Sequence, residues 1–379
     1  MTHPPLPARW WAPARHALLA LLGLFAALAA AASPPASMAF TTLAATGDDE
    51  PVTVYYPTRS PAGPVRHGFA MLVAADSGAP ERGNGRLVVV SHGTGGGNFV
   101  HTALAQALVN QGFTVAMPLH RGDNWRDHRP GNFDSLKRRA QEVSRAIDAV
   151  ARDPRLGPLL ALDKVGVYGF SAGGFTALAL AGGRWSPQRF VQHCDAHLAD
   201  DWYFCTGVIT SLTGGWLDGL KRWVARQEIH RRFDADTANY GHTDPRVAAI
   251  VAAAPAAAVF DPASLARPSV PLGLVTLGQD RWLVPRFHSD AVLAACPGCE
   301  RVAHVPGAGH GAMLAPLPPG LDGVLGDMLN DPPGLDRSAL LPEVDRRIAD
   351  FFVRHLPGAG VAAGGPAAGA GAAALKPPG

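Results

Sequence analysis

The chain has 379 residues, with 33 lysines and arginines against 31 acidic residues, and its formal net charge is +2. That balance gives no electrostatic case for binding nucleic acid or an anionic membrane surface. Two of the arginines precede an apolar stretch from Ala17 to Ala32, so the rest of the chain is formally neutral.

The two ends of the chain differ in composition from its centre. The apolar stretch ending in small residues predicts a signal peptide over residues 1–32, with an uncleaved signal anchor as the alternative. Residues 357–379 are almost entirely glycine, alanine and proline, which predicts a disordered tail because so little side-chain area can be buried. The remaining residues 33–356 are enough for one large domain with an insertion. We therefore expect an exported protein, periplasmic or secreted, with no stable membrane insertion after cleavage.

Short runs typical of β-strands alternate with helical patterns, which predicts an α/β fold with a mostly parallel central sheet flanked by helices. A long helix is expected from Asp134 to Ala151, because apolar residues recur there at three- and four-residue spacing. A closing helix is expected from Pro342 to His355. The predicted strands are Val52–Tyr56, Phe69–Ala74, Leu87–Val90, Phe113–Met117, Lys164–Tyr168, Val247–Ala252, Pro271–Leu277 and Arg301–Val305.

A glycine-rich loop, Ser-His-Gly-Thr-Gly-Gly-Gly, follows the strand at Leu87. Glycines let backbone N–H groups approach a developing oxyanion closely, so we expect the N–H of Thr94 to be one oxyanion donor. His92 could serve as a base, but a histidine here more often supports the loop by hydrogen bonding. A phosphate-binding loop would continue with Gly-Lys-Ser/Thr, which the sequence lacks.

The segment Gly169 to Gly173 reads Gly-Phe-Ser-Ala-Gly and lies between a short β-branched run and an alanine-rich helical run. Small residues on both sides of a serine allow a strand to turn sharply into a helix, which exposes the hydroxyl above the sheet. The pattern predicts Ser171 as a nucleophile, with the N–H of Ala172 as the second oxyanion donor.

The alternation of strands and helices breaks between residues 183 and 245, which predicts an insertion that caps the carboxyl edge of the sheet. Four tryptophans fall within or beside it. Four apolar residues share one helical face there, and we interpret that face as core packing, with a substrate-pocket wall as the alternative. They are Trp216, Leu220, Trp223 and Val224.

Four cysteines lie outside the leader, an even number that favours disulfides in an oxidising compartment. Sequence alone permits three pairings. The local pairs, Cys194 with Cys205 and Cys296 with Cys299, are favoured. The Cys-Pro-Gly-Cys spacing of the second pair could indicate a redox dithiol, but no thioredoxin-like context surrounds it.

Two further residues complete a predicted triad. Asp280 follows the strand Pro271–Leu277 and would orient a histidine, while His310 is flanked by glycines past the last strand and would act as the general base. Asp261 is the main alternative acid, with a solvated turn beside Pro262 as its competing interpretation. Chain order is serine, aspartate, histidine, which is the order found in α/β-hydrolases.

Two polar clusters invite a metal hypothesis, but neither has ligand spacing on a predicted helix. We therefore assign no metal and no cofactor, and we expect polar loops beside the site. The first cluster comprises His120, Asp123, Asp127 and His128, and the second comprises His193, Asp195 and His197.

Four segments resemble the α/β-hydrolases called predicted dienelactone hydrolases, a group similar to platelet-activating-factor acetylhydrolases and more distantly to bacterial cutinase-like polyesterases. The resemblance spans Pro51 to His355 and implies a carboxylic-ester hydrolase with a Ser-Asp-His triad and no cofactor. The segments are Val54 to Thr58, Ser91 to Gly96, His120 to Asn124 and Gly169 to Gly174.

The chain departs from these relatives at two positions. True dienelactone hydrolases have a cysteine nucleophile where this elbow holds Ser171. We therefore do not expect this chain to share their substrate. The acetylhydrolases place their acid after the preceding strand, where this chain has Ala254 and Pro255 and only later Asp261.

Together these patterns predict an exported serine esterase that acts on small-molecule esters through an acyl-enzyme. A serine peptidase of the same fold and a catalytically inactive binding protein are the alternatives. The oligomeric state and the acyl-chain preference are not encoded in any motif.

Overall fold

The computed structural model describes residues 37–129, 133–207, 209–317 and 320–359. The predicted leader lies outside these residues, as does the predicted tail beyond residue 359. Within the described residues, no helix has the length and apolar character needed to cross a bilayer.

Ten strands of the described chain form one sheet in the order β10-β9-β8-β7-β5-β6-β2-β1-β4-β3. Strands β5 to β10 are mutually parallel, and β2 joins them antiparallel to β6. The strands are β1 (Ser37–Leu43), β2 (Val52–Thr58), β3 (Gly63–His67), β4 (Ala70–Asp76), β5 (Leu87–Ser91), β6 (Thr114–Pro118), β7 (Val165–Phe170), β8 (Val247–Ala253), β9 (Leu272–Leu277) and β10 (Glu300–Val305).

Helices connect and cover the parallel strands, so the predicted α/β fold with a mostly parallel sheet is confirmed. The α-helices of the described residues are α1 (Thr102–Asn110), α2 (Phe133–Arg152), α3 (Ala172–Leu180), α4 (Pro187–His197), α5 (Trp202–Thr206), α6 (Asp218–Phe233), α7 (Pro262–Leu265), α8 (Ser289–Ala295), α9 (Gly323–Leu329) and α10 (Arg337–His355).

The central strands β5, β6 and β7 are buried on both faces of the sheet. Alternate residues of β5 belong to two different apolar clusters, Val89 to one and Val88 to the other, because successive side chains of a strand point to opposite faces. Helices α2 and α3 contribute to the first cluster, while α1 and α10 contribute to the second. This layering leaves the carboxyl ends of the parallel strands as the edge where polar side chains can gather.

The expected long helix is present as α2, and its apolar stripe packs on the sheet through Val143, Ile147 and Val150. The closing helix begins earlier than expected, at Arg337. Asp336 caps it by accepting hydrogen bonds from the N–H groups of Ser338 and Ala339. Pro342 therefore lies inside the helix, where it removes one backbone hydrogen bond and does not mark the start.

Both favoured disulfides are present, Cys194–Cys205 and Cys296–Cys299. The first joins α4 to α5 within the insertion. Among the described residues, helices α4, α5 and α6 lie between α3 and β8, where the insertion is predicted. The ring of Trp185, which precedes α4, packs against Phe175 of α3.

The prediction that the apolar face around α6 is core packing is wrong. Trp216 is 91% exposed and Trp223 is 61% exposed, and Leu220 and Val224 are exposed with them. The helix packs instead through its opposite side, where Ile229 is buried and the ring of Phe233 stacks on Phe133. Helical spacing identifies residues that share a face, but it does not identify which face the protein covers.

Candidate active site

Ser171 lies at a sharp turn between β7 and α3. Its backbone adopts φ 58° and ψ −117°, a strained conformation for a residue other than glycine. The flanking glycines make the turn possible: a Cβ atom at Gly169 would lie 1.9 Å from the carbonyl oxygen of Gly173, and a Cβ atom at Gly173 would lie 1.9 Å from the carbonyl oxygen of Ser91. No side chain fits at either position, so the five-residue pattern follows directly from the packing of the elbow.

The structure brings the three predicted triad residues together. Nε2 of His310 lies 3.0 Å from Oγ of Ser171, and Nδ1 of His310 lies 2.7 Å from Oδ2 of Asp280. Both His310 and Asp280 are buried. The second carboxylate oxygen of Asp280 accepts hydrogen bonds from the N–H groups of Trp282 and Leu283, each at 2.9 Å, which fixes the orientation of the carboxylate.

Aromatic rings and the partly buried guanidinium of Arg337 hold His310 in place. The Phe170 ring centroid lies 4.9 Å from the imidazole and that of Trp282 lies 5.3 Å from it. Arg337 donates to the carbonyl oxygens of Gly311 and Leu314, at 2.6 and 2.7 Å, so the short 3₁₀ helix that carries His310 is tied to α10.

The glycine-rich loop lies directly beside the serine. A Cβ atom at Gly93 would be 3.2 Å from Cβ of Ser171, so the backbone leading into Thr94 borders the nucleophile. The N–H of Gly95 donates to Oδ1 of Asp123 at 2.8 Å. Asp123 therefore fixes the loop that we expect to carry one oxyanion donor.

A buried ion pair between Asp123 and Arg139 supports the glycine-rich loop. Arg139 of α2 is fully buried and donates to Oδ2 of Asp123 and to the carbonyl oxygen of His92, both at 2.7 Å. Burial alone would raise the pKa of Asp123, but the charge of Arg139 and hydrogen bonds from His128 and Gly95 hold that pKa well below its usual value. The Asp123 hydrogen bond in turn raises the pKa of His128.

His92 has the supporting role that its position suggested. Its Nδ1 lies 2.7 Å from the carbonyl oxygen of Gly93, and its Nε2 accepts a hydrogen bond from the N–H of His120 at 3.2 Å. Burial lowers the pKa of His92 well below its usual value. The ring is therefore neutral, and it links the backbone at Gly93 to the backbone at His120.

The members of the first polar cluster have structural partners. His120 contacts Oγ of Ser91 at 2.8 Å and Oε2 of Glu142 at 2.6 Å, and burial lowers the pKa of His120 while it raises that of Glu142. Asp127 pairs with Arg129 at the surface. No sequence motif singled out Arg139 or Glu142. The signal for them in the sequence was a charged residue at each position beside the apolar stripe of an amphipathic helix.

The second cluster is divided between surface and interior. His193 pairs with Asp201, whereas Asp195 pairs with Arg226 at the surface. The ring of His197 packs against Phe287. Among the residues that the structure describes, no group of three or more histidine, cysteine or acidic side chains is arranged to hold a metal ion.

The alternative acid has a different environment. Asp261 caps α7 through the N–H of Ala263 and pairs with Arg189 at 3.2 Å. His304, within β10, contacts Oγ1 of Thr276 at 2.6 Å. The structure thus places Asp280 and not Asp261 against His310.

The arrangement can transfer a proton from a hydroxyl to an imidazole that a carboxylate orients, which is the chemistry of an activated serine nucleophile. Three side chains from the ends of β7, β9 and β10 meet here because parallel strands present their carboxyl ends at one edge.

No protein-family model and no curated protein matches the chain in sequence. In structure it is similar to a ferulic acid esterase from Streptomyces cinnamoneus, with a TM-score of 0.54 and 18% sequence identity. The match covers 88% of this chain and 93% of that one. A likeness at this identity concerns the fold alone, so the two chains share an α/β architecture.

Proposed function

We propose that the protein is a serine hydrolase that cleaves carboxylic esters through Ser171, His310 and Asp280. The observation that carries the proposal is the continuous chain of contacts from Oγ of Ser171 through the imidazole to a buried carboxylate. The fold shared with a solved ferulic acid esterase supports ester hydrolysis in general. The substrate is a small-molecule ester.

In the proposed mechanism, Nε2 of His310 takes the proton of Ser171 as Oγ attacks the ester carbonyl carbon. The N–H groups of Thr94 and Ala172 stabilise the negative oxygen of the tetrahedral intermediate. The intermediate collapses to an acyl-enzyme, and the imidazolium returns the proton to the departing alkoxide. His310 then deprotonates a water molecule whose oxygen attacks the acyl carbonyl carbon. As the bond between that carbon and Oγ breaks, the imidazolium returns the proton to Ser171 and the acid is released.

Asp280 has an electrostatic and orienting role in both halves of the cycle. It accepts the Nδ1–H of His310, so Nε2 faces the serine with its lone pair free to accept the proton. Its negative charge stabilises the imidazolium that forms in each transition state. The proposed steps use side chains and backbone N–H groups of this chain together with water.

We also propose that the protein is exported, with residues 1–32 removed as a signal peptide. Two disulfides among the described residues are compatible with an oxidising compartment such as the periplasm or the exterior. Mass spectrometry of the mature protein should find Ser33 at the N-terminus. A mature protein that retains the leader would contradict cleavage.

The test of function is hydrolysis of p-nitrophenyl esters, from acetate to long acyl chains, by the wild type and a Ser171→Ala variant. We expect turnover by the wild type and its loss in the variant. His304→Gln serves as a control for His310→Gln, because His304 lies within β10 and contacts Thr276. Equal activity of Ser171→Ala and the wild type, or cleavage of amides in preference to esters, would overturn the proposal.

A further inference from the structure

Asp201 is a fully buried carboxylate in the insertion, at the start of α5, outside the proposed triad. Its Oδ2 lies 2.8 Å from Nε2 of His193 and 3.0 Å from Nε2 of His288. Its Oδ1 accepts a hydrogen bond from the N–H of Val284 at 3.4 Å. One side chain of the insertion therefore contacts two positions on the segment that follows Asp280.

The proton positions on His288 follow from its partners. Its Nδ1 accepts hydrogen bonds from the N–H groups of Ala257 and Ala258, at 2.9 and 3.3 Å, so the ring proton of the neutral tautomer is on Nε2. Nε2 therefore donates to Asp201. Hydrogen bonds from His193 and His288 outweigh the effect of burial and lower the pKa of Asp201, which keeps it an ionised acceptor.

These contacts reach both sides of the proposed active site. The segment from Asp280 to His288 is held at its beginning by the contact with His310 and at its end by Asp201. On the other side, the N–H of Ala256 donates to the carbonyl oxygen of Ser171, one residue before the Ala257 contact with His288.

We propose that Asp201 is a positioning residue that fixes the segment carrying Asp280 and thereby the orientation of His310. The inference rests on the proposed esterase function and deepens it. A carboxylate in this position is costly to bury unless its donors are in place. The charge of Asp201 thus stabilises the observed position of the segment from Asp280 to His288. Without it, that segment keeps its contacts at Asp280 and at Nδ1 of His288 and loses those made by Nε2 of His288 and the N–H of Val284.

The decisive variant is Asp201→Asn, which keeps the shape of the side chain and replaces one acceptor by a donor. Asp195→Asn is the matched control, because Asp195 lies in the same insertion and forms exposed pairs with Arg226 and His230. With p-nitrophenyl acetate we expect kcat of Asp201→Asn to fall roughly 10- to 100-fold with KM changed less than about threefold. The control should stay within about twofold of the wild type.

The pH profile separates positioning from a purely structural role. A less well placed carboxylate stabilises the imidazolium less, so the acid limb of kcat/KM in Asp201→Asn should move to lower pH. An unchanged acid limb with full kcat in a folded variant would overturn the inference. So would a change in KM alone.

Two further variants keep the test decisive. If Asp201→Asn does not fold, His288→Leu removes the donor on the Asp280 segment while the pair of Asp201 with His193 remains, and the same shift of the acid limb is expected. A wild-type acid limb in His288→Leu would overturn the inference. Ser171→Ala, assayed alongside, tests the function itself: if it retains activity, the proposed function fails, whereas its inactivity beside an unaffected Asp201→Asn refutes only the positioning role.

Discussion

At the scale of single residues, Asp280 and Asp261 follow neighbouring strands, β9 and β8, yet their side chains have different partners. Asp280 contacts His310 at 2.7 Å, and Asp261 caps α7 and pairs with Arg189. An acid after either strand can serve such a triad, so strand position favoured Asp280 and kept Asp261 as the alternative.

We expect Asp280→Asn to lower kcat for p-nitrophenyl esters by roughly 10⁴-fold, because an amide cannot hold the imidazole in the required tautomer or stabilise its charge. Asp261→Asn is the matched control and should keep kcat within about twofold of the wild type. Steady-state kinetics of both purified variants provides the measurement. A larger loss in Asp261→Asn than in Asp280→Asn would reverse the assignment.

Asp123 is the residue whose removal tests the support of the glycine-rich loop. Asp123→Asn leaves the buried Arg139 without its carboxylate and weakens the contact to Gly95. We expect a loss of about 3 kcal/mol in the free energy of unfolding, since breaking a buried ion pair leaves an uncompensated charge.

The same variant should lower kcat by roughly 10-fold, because the loop also borders Ser171. Asp127→Asn, which removes an exposed pair with Arg129, should change the unfolding free energy by less than about 0.5 kcal/mol. Urea denaturation and kinetics on the same samples test both expectations. Equal stability of the two variants would show that Asp123 does not support the loop.

At the scale of elements, α6 is a helix that packs through one side and leaves an apolar face outward. Trp216→Ser and Trp223→Ser should each change the free energy of unfolding by less than about 0.5 kcal/mol, because the two rings are mostly exposed. Trp185→Ala, at a buried position, should cost about 3 to 5 kcal/mol. Urea denaturation followed by circular dichroism checks all three. A large loss in either serine variant would place its ring in the core.

At the scale of the whole molecule, Asp345 links stability to pH. This carboxyl on α10 is 4% exposed, and burial raises its pKa to about 7. In the unfolded chain the same carboxyl has a pKa of about 4. The protonated form is therefore favoured in the folded state, and its stabilising contribution is complete below pH about 4 and is lost as the pH rises through about 7.

We expect Asp345→Asn to be more stable than the wild type at pH 8, by an amount on the order of 4 kcal/mol, and to match it more closely at pH 4. Urea denaturation of both proteins across this pH range gives the free energy of unfolding of each as a function of pH. The difference between the two curves isolates the effect of Asp345, because the titrating groups that both proteins share cancel. Parallel curves from pH 4 to pH 8 would contradict the raised pKa.

Local chemistry made much of the protein predictable from its sequence. The elbow around Ser171 was predictable because only glycine fits at Gly169 and Gly173. The stripe of α2 was predictable because a helix that covers a sheet must repeat its apolar residues at helical spacing. Both disulfides were predictable because the four cysteines fall into two pairs that are close in the chain, with sequence separations of 11 and 3 residues.

The tertiary structure alone decided which distant groups meet. The buried pair of Asp123 and Arg139 and the contacts of Asp201 with Val284 and His288 join different elements, and no sequence motif indicated them. The structure also decided between Asp280 and Asp261 as the partner of His310. It also decided which face of α6 is covered. Sequence patterns report the periodicity and chemistry of one segment, whereas burial and hydrogen-bond partners depend on which other segments pack against it.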